Sequence, residues 1–366
     1  MKDMEKQILA CASDVNVDAD AIRRLLSQDV NIDHLIGVAF REGLVGFLYR
    51  SLLKSGTLEA LQPQQRATLE AGYYQTVRSN LNLIYALKEL LHEANARQIK
   101  LILVQGMDLL HTVYEDIGVR PMTDVDLWMG KEDFPSVTAV FGQLGYSRDS
   151  IYPTTFRRGS ATFDLHTHLL WANRIKARKR LLNIEEEEIL AQTRPVLVEG
   201  EQALCLNPFD QFIYLGLHAL KHRANRLMWM VDLKVLAGGW EEPTWEALSR
   251  RAREMGQEKT VSYMLFLLRH LLGFRPSAKS QAFPRLSHLE KKVLRQRIQG
   301  EALAPWGPAF LFSSGKGPVK GFPLFFEGLF PRPEILRQIF PECGGLRTSR
   351  LYLKRAIQLV SMLRRG

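Results

Sequence analysis

The sequence predicts an α/β (α+β) fold, a mixed sheet flanked by helical N- and C-terminal regions. Three observations predict it. Residues 100–104 (KLILV) form a short aliphatic run that ends in Gln105-Gly106, after which 107–114 (MDLLHTVY) resumes at helical spacing. Residues 118–129 (GVRPMTDVDLWM) set two carboxylates among apolar residues, and 161–168 (ATFDLHTH) alternates apolar and polar as a half-buried strand does. Around these, residues 1–95 and 201–275 carry helical periodicity, so the sheet-forming part is expected at 96–200.

The first of these stretches reads as strand, glycine turn and helix. Free N–H groups at a helix start and the helix dipole favour anions at the same point, so Gln105, Gly106 and Met107 are candidate nucleotide-phosphate contacts. In the second stretch, Asp124 and Asp126 are two apart, and residues two apart on a strand share a face. Two such charges repel by about 4 kcal/mol at about 4 Å and an effective dielectric near 20. A shared proton, a basic partner or a divalent cation must offset that cost. A hard ion such as Mg²⁺ takes oxygen ligands, often one or two carboxylates plus substrate phosphates. The third stretch supplies another carboxylate, Asp164, to the same sheet. Between them, residues 131–144 read as a helix stopped at Gly145, with a strand from Tyr146 onward.

Together these pieces resemble the nucleotidyltransferase fold of DNA polymerase β type, and more narrowly a bacterial family of uncharacterised nucleotidyltransferases. The matching residues are Leu103-Val104-Gln105-Gly106, Tyr114, Arg120 through Asp124-Val125-Asp126-Leu127, Asp164-Leu165-His166, His218 through His222, and Arg226 through Asp232. The likeness runs from about residue 30 to 360. It implies a cytoplasmic enzyme that moves a nucleoside monophosphate from an NTP to an acceptor hydroxyl, the acceptor being a small molecule, saccharide, protein or RNA. Asp124, Asp126 and Asp164 would be catalytic and would hold Mg²⁺ or Mn²⁺; two ions about 3.5–4 Å apart stabilise attacking and leaving oxygens in such displacements. Gln105, Gly106, Met107, Arg120, His166, His218 and His222 would contact nucleotide. Two positions depart from the pattern: Met107 stands where the superfamily has Ser, and Gln105 where the narrower family has Lys. Gln brings a donor without a charge, so attraction to a triphosphate weakens. A non-catalytic nucleotide- or RNA-binding protein of the same fold is therefore the alternative.

The remainder of the chain bounds these readings. At 366 residues with a net charge of +10, it has room for an ample core and favours polyanions. Cys11, Cys205 and Cys343 make no metal-like spacing and no disulfide framework, which fits a reducing compartment. The start, MKDMEKQ, is no signal peptide, and the apolar run 261–274 is interrupted by Arg269-His270 and too short to span a bilayer.

Residues 62–96 read as one long scaffold helix, with Tyr73, Tyr74, Arg78 and Asn82 as lesser candidates for a cleft wall. The cluster Arg174, Lys176, Arg178, Lys179 and Arg180 either neutralises phosphate or forms a solvated face balanced by 185–188. Asn207-Pro208 is a helix start. His218 and His222 share a helix face, but no HExxH pattern or third soft ligand points to zinc; they face the carboxylates or pair structurally with Asp232. Residues 243–253 form an amphipathic helix with Trp245 and Leu248 inward. From 276 to 345, frequent Pro, Gly and Phe suggest an irregular arm, and Gly315-Lys316-Gly317 within it reads as a surface loop. The segment 346–365 has six basic residues and no acid, with Leu353, Ile357 and Val360 on one helical face. Packing of that face on the body is the expectation, with membrane-surface or nucleic-acid contact as the lesser reading.

Overall fold

A computed structural model describes residues 3–14, 16–172, 175–276, 283–314, 316–343 and 347–363. Seven strands form one mixed sheet: β1 (Ile102–Val104), β2 (Val125–Trp128), β3 (Ser147–Arg148), β4 (Thr155–Arg158), β5 (Ala161–His166), β6 (Arg194–Val198) and β7 (Glu201–Cys205), in the order β3-β4-β5-β2-β1-β7-β6. β1 runs antiparallel to β2 and parallel to β7, and β2 runs parallel to β5. Residues 201–205, expected to open the second helical region, instead pair beside β1; helix begins only at Pro208. There Asn207 accepts from the N–H groups of Phe209 and Asp210 at 3.0 Å, the expected cap with Pro at the first turn.

Alternation along the central strands sorts their side chains to two surfaces. Leu103, Val125, Leu127, Phe163 and Leu165 enter one core with Leu83, Leu87 and Leu90 from the 34-residue helix Pro63–Ala96 and with Val137, Val140 and Phe141 from the helix Phe134–Gln143. Phe141 stacks on Phe156 with ring centres 4.5 Å apart and meets Phe163 edge-on at 5.3 Å. On the other surface, Ile102, Val104 and Trp128 join a larger core built from the N-terminal helices and the helices Pro208–Lys221, Met228–Ala237, Glu242–Glu254 and Glu258–Leu272. Trp245 and Leu248 are buried there, as their spacing required.

Within the larger core, buried polar groups tie the helical regions to one another. Glu42 accepts from Arg297 Nη2 at 2.6 Å and from the Leu227 N–H at 2.7 Å, joining the first helical region to the two that follow the sheet. Residues 288–343, expected to be irregular, are largely helical: His288–Ile298, Gly307–Ser313, Gly317–Leu329 and Pro333–Ile339. Three of these helices carry Pro in the first turn, where its missing N–H costs nothing. Gly315 of the expected surface loop lies outside the described residues; Lys316 beside it donates to the carbonyls of Leu181 and Gly256.

Candidate active site

Register decides where the carboxylates go. Asp126 on β2 and Asp164 on β5 are direct Cα partners in the parallel pair, so they project from the same surface. That surface also holds Trp128 and His166, and it is the one facing the helices after residue 207. Asp124 lies just before β2 rather than in it. It is nonetheless close to the other two: burial, then the charges of Asp126 and Asp164, push its carboxyl up to about 6. Thr123 and Arg120 pull the other way, through a 3.1 Å hydrogen bond and a positive charge. The three acids therefore converge electrostatically.

Two of the three are held by neighbours. His166 Nε2 lies 2.7 Å from Asp126 Oδ1, a bond that runs diagonally from the end of β5 to β2 across the surface. Thr155 Oγ1 on β4, the register partner of Asp164, donates to Asp164 Oδ1. Among the described residues, no three His, Cys, Asp or Glu side chains are gathered tightly enough to hold a metal ion as they stand.

Arg120 is paired within the fold, and its charge also acts on Asp124. Its Nη2 and Nε reach the two oxygens of Asp232, at 3.0 and 3.3 Å, and Tyr114 donates to Asp232 Oδ1 at 2.7 Å. Asp232 is fully buried, and Arg120 and Tyr114 both bond to it. Asn80 of the long helix donates to the Arg120 and Ile117 carbonyls at 2.8 and 2.6 Å, fixing the loop before β2 from behind. The residue pattern Tyr114, Arg120, Asp232 thus builds a buried clamp between the loop before Asp124 and the helix Met228–Ala237. The requirement for Gly106 follows: a Cβ there would lie 2.3 Å from Arg120 Nη1 and 2.8 Å from Met122 Sδ.

At the turn itself, Gln105 has φ 59° and ψ −126°, a combination that glycine adopts most readily. Its Nε2 donates to the Tyr214 hydroxyl at 3.3 Å. Met107, the other departure from the pattern, is buried in the core beneath the sheet and presents no polar group.

Tyr214, His218 and Lys221 fall on one face of the helix Pro208–Lys221, at i, i+4 and i+7. Trp171, which has φ 57°, packs against that face. Its ring is 5.5 Å from Tyr214, 5.8 Å from His218 and 6.4 Å from His166, and Lys221 Nζ sits 3.7 Å over it. His218 continues to His222 at 4.6 Å and Trp229 at 5.3 Å. Burial and the charges of His222, Lys221, Arg120 and His166 hold His218 well below the usual imidazole range, so it is neutral. His218 Nδ1 and Trp171 Nε1 are buried with no hydrogen-bond partner among the described residues. Burial and the Asp126 charge push the Tyr214 phenol well up, which places Asp126 within electrostatic range of this aromatic group. Sequence spacing brought out His218 and His222; Tyr214 and Lys221 shared the same stripe, while nothing local marked Trp171.

The lesser candidates on the long helix have local partners or face solvent. Tyr73 donates to Asp116 at 2.9 Å and Asn82 to Ser160 at 2.6 Å, while Tyr74 is exposed. Of the basic cluster, Arg174 lies outside the described residues; Lys176, Arg178, Lys179 and Arg180 fall in a short 3₁₀ segment, with Arg178 Cζ 5.8 Å over Trp171. No helix among the described residues is long and apolar enough to cross a membrane.

No curated protein matches the sequence. Among solved structures, the solution structure of the antibiotic-resistance factor ANT(2″)-Ia is 14% identical with a TM-score of 0.34, covering 48% of this chain and 92% of that one. The crystal structure of ANT(2″)-Ia in complex with adenylyl-2″-tobramycin is 15% identical with a TM-score of 0.32, covering 46% of this chain and 96% of that one. The family described as uncharacterised nucleotidyltransferase matches residues 28–273, which contain the sheet, the three carboxylates and the aromatic helix face, and this chain belongs to that family.

Proposed function

We propose that this surface binds a nucleoside triphosphate and transfers its nucleoside monophosphate to an acceptor hydroxyl. The observation that supports this best is the register pairing of Asp126 with Asp164, with Asp124 raised to about 6 by their charges. Evolved surfaces rarely keep three like charges together without a task, because the cost is several kcal/mol. The donor set is carboxylate oxygen only, which suits a hard cation. The hydrogen bonds from His166 and Thr155 engage one oxygen each of Asp126 and Asp164. A divalent ion such as Mg²⁺ or Mn²⁺, held by Asp124 and Asp126 with Asp164 completing the set, would supply charge neutralisation for the phosphates.

The chain's own residues then have separable tasks. Asp164 completes the carboxylate set or accepts the proton of the acceptor hydroxyl. The acceptor oxygen forms a bond to the α-phosphorus, the bond from that phosphorus to the bridging oxygen breaks, and pyrophosphate leaves with that oxygen. His166 orients Asp126. Gln105 and the Gly106 turn meet phosphate through backbone N–H groups, and Lys221 and Arg178 over Trp171 add positive charge at the aromatic side. His218, neutral and with an unpartnered Nδ1, offers an uncharged contact to nucleotide or acceptor. Arg120 positions rather than binds: its guanidinium is committed to Asp232.

A second reading is binding of nucleotide without transfer. Two observations favour it: Met107 is buried and presents no polar group, and Gln105 is engaged with Tyr214. Transfer of α-labelled NTP in Mg²⁺ or Mn²⁺, with saccharides, small molecules, proteins and RNA offered as acceptors, distinguishes the two. Label transfer by the native chain that Asp124→Ala abolishes supports the transferase; equal transfer by both removes the carboxylates from the mechanism. Saturable NTP binding with no pyrophosphate released from any acceptor supports the binder.

A further inference from the structure

The helix Thr348–Leu363 packs the wrong way round for a structural element. Its apolar stripe was expected against the body, yet Leu353, Ile357 and Val360 are 61, 62 and 50% exposed. The side turned inward carries Leu351, Tyr352 and Arg355 instead. Arg355 Nε donates to the Leu329 carbonyl at 2.9 Å and its Nη1 to Gln358 at 2.7 Å, while the Tyr352 hydroxyl donates to the Pro331 carbonyl at 3.0 Å. These bonds fix the helix's rotation, so the stripe faces solvent by construction. The neighbouring helix, Gly317–Leu329, does the same with Val319, Phe322 and Phe326, at 83, 69 and 54% exposure.

Charge identifies what the outward side fits. Residues 347–363 contain no Asp or Glu. At about 100° per residue, Leu353, Ile357 and Val360 span an arc of about 60°. Arg350, Lys354 and Arg347 follow on one flank, at about 60°, 100° and 120° from Leu353. Arg347 and Arg350 are exposed, and Lys354 is paired with Glu342 at 2.9 Å. Aliphatic side chains without interspersed hydrogen-bonding groups, flanked by guanidinium groups, match the boundary of hydrocarbon and anionic headgroup. Nucleic acid would use the cations and leave the aliphatic stripe exposed.

We propose that this helix is a peripheral membrane anchor: Leu353, Ile357 and Val360 enter the acyl boundary of an anionic lipid surface, and Arg347 and Arg350 meet its headgroups. The proposal stands apart from the nucleotide site and survives or fails without it.

Sedimentation of the full chain with vesicles tests it. The chain should pellet with vesicles of phosphatidylcholine and phosphatidylglycerol, far less with phosphatidylcholine alone, and less as salt is raised. The double variant Leu353→Gln, Ile357→Gln should bind about tenfold or more weakly, because the apolar term is removed. Arg347→Gln with Arg350→Gln should bind several-fold more weakly and lose most of the salt dependence. All four positions are exposed, and an unchanged circular dichroism spectrum checks that each variant folds. Failure of the native chain to pellet with anionic vesicles overturns the proposal, as does equal pelleting by the Leu353→Gln, Ile357→Gln variant. A concentration-dependent dimer that this variant abolishes, without vesicle binding by the native chain, overturns it in favour of a second copy of the chain.

Discussion

β2 and β5 each present two surfaces made from alternate residues of the same few positions. On one, Val125, Leu127, Phe163 and Leu165 are fully buried against the long helix and the Phe141 cluster. On the other, Asp126, Asp164 and His166 are half-buried and tied by single hydrogen bonds, with Thr155 completing the set from β4. The apolar surface supplies rigidity; the polar one spends some of it on like charges held together. The contrast separates residues that fold the protein from residues that burden the fold, although they stand next to each other in the chain. Substitutions on the two surfaces should therefore differ in kind as well as in size.

The largest effect on stability belongs to the apolar surface. Phe163→Ala removes a ring that packs on both Phe141 and Tyr146, and should cost about 3–5 kcal/mol in urea unfolding. A comparable loss is expected where the clamp behind the polar surface is opened. Arg120→Met strips the buried Asp232 carboxylate of its cation, which should cost about 3–5 kcal/mol; replacing both as Arg120→Met, Asp232→Leu should recover most of it. Next comes Gly106→Ala, whose new methyl must displace the Arg120 guanidinium already held by Asp232, for about 1–3 kcal/mol. Loss of less than about 0.5 kcal/mol on Gly106→Ala would mean that the clamp yields easily.

The smallest effect on stability, and the most telling, is on the polar surface. Burial and the charges of Asp126 and Asp164 raise Asp124 to about 6, above its value in an unfolded chain. Between about pH 4 and pH 6 the unfolded chain loses this proton and the folded one keeps it, so folding stability declines as pH rises through that window and levels off above it. In EDTA, Asp124→Asn should flatten that decline and leave the protein as stable as the native chain, or more so, at pH 8. A variant that is clearly less stable at pH 8 would mean that the carboxylate holds the fold together.

How much of this was legible in the residues follows from the same contrast. Strand, turn and helix around Gly106, the alternation of β5 and the Asn207 cap all have local signatures, and each stands where its signature put it. The pairing of Asp126 with Asp164 needed only that both strands join one sheet in register. β6 and β7 were missed because Pro195 and the two-residue Glu199-Gly200 turn, both residues at positive φ, break up short strands held by long-range pairing of β7 with β1, with β6 paired to β7. Pro and Gly likewise hid the helices after residue 288, although Pro308, Pro318 and Pro333 lie in first turns, where they favour helix. Periodicity revealed the last helix but not its rotation, because the Arg355 and Tyr352 bonds that set it are long-range. Arg120 and Trp171 share that difficulty: their roles depend on partners more than 40 residues away.

We propose that the polar surface of β2 and β5 binds a metal-bound nucleotide. Isothermal titration of the native chain and of Asp126→Asn with each NTP in Mg²⁺, beside thermal unfolding of both, tests it most directly. The native chain should bind at least one Mg–NTP saturably, with binding weakened about tenfold or more in Asp126→Asn while the unfolding temperature holds or rises. Equal affinity in the two chains, or no binding of any NTP by the native chain, would contradict it.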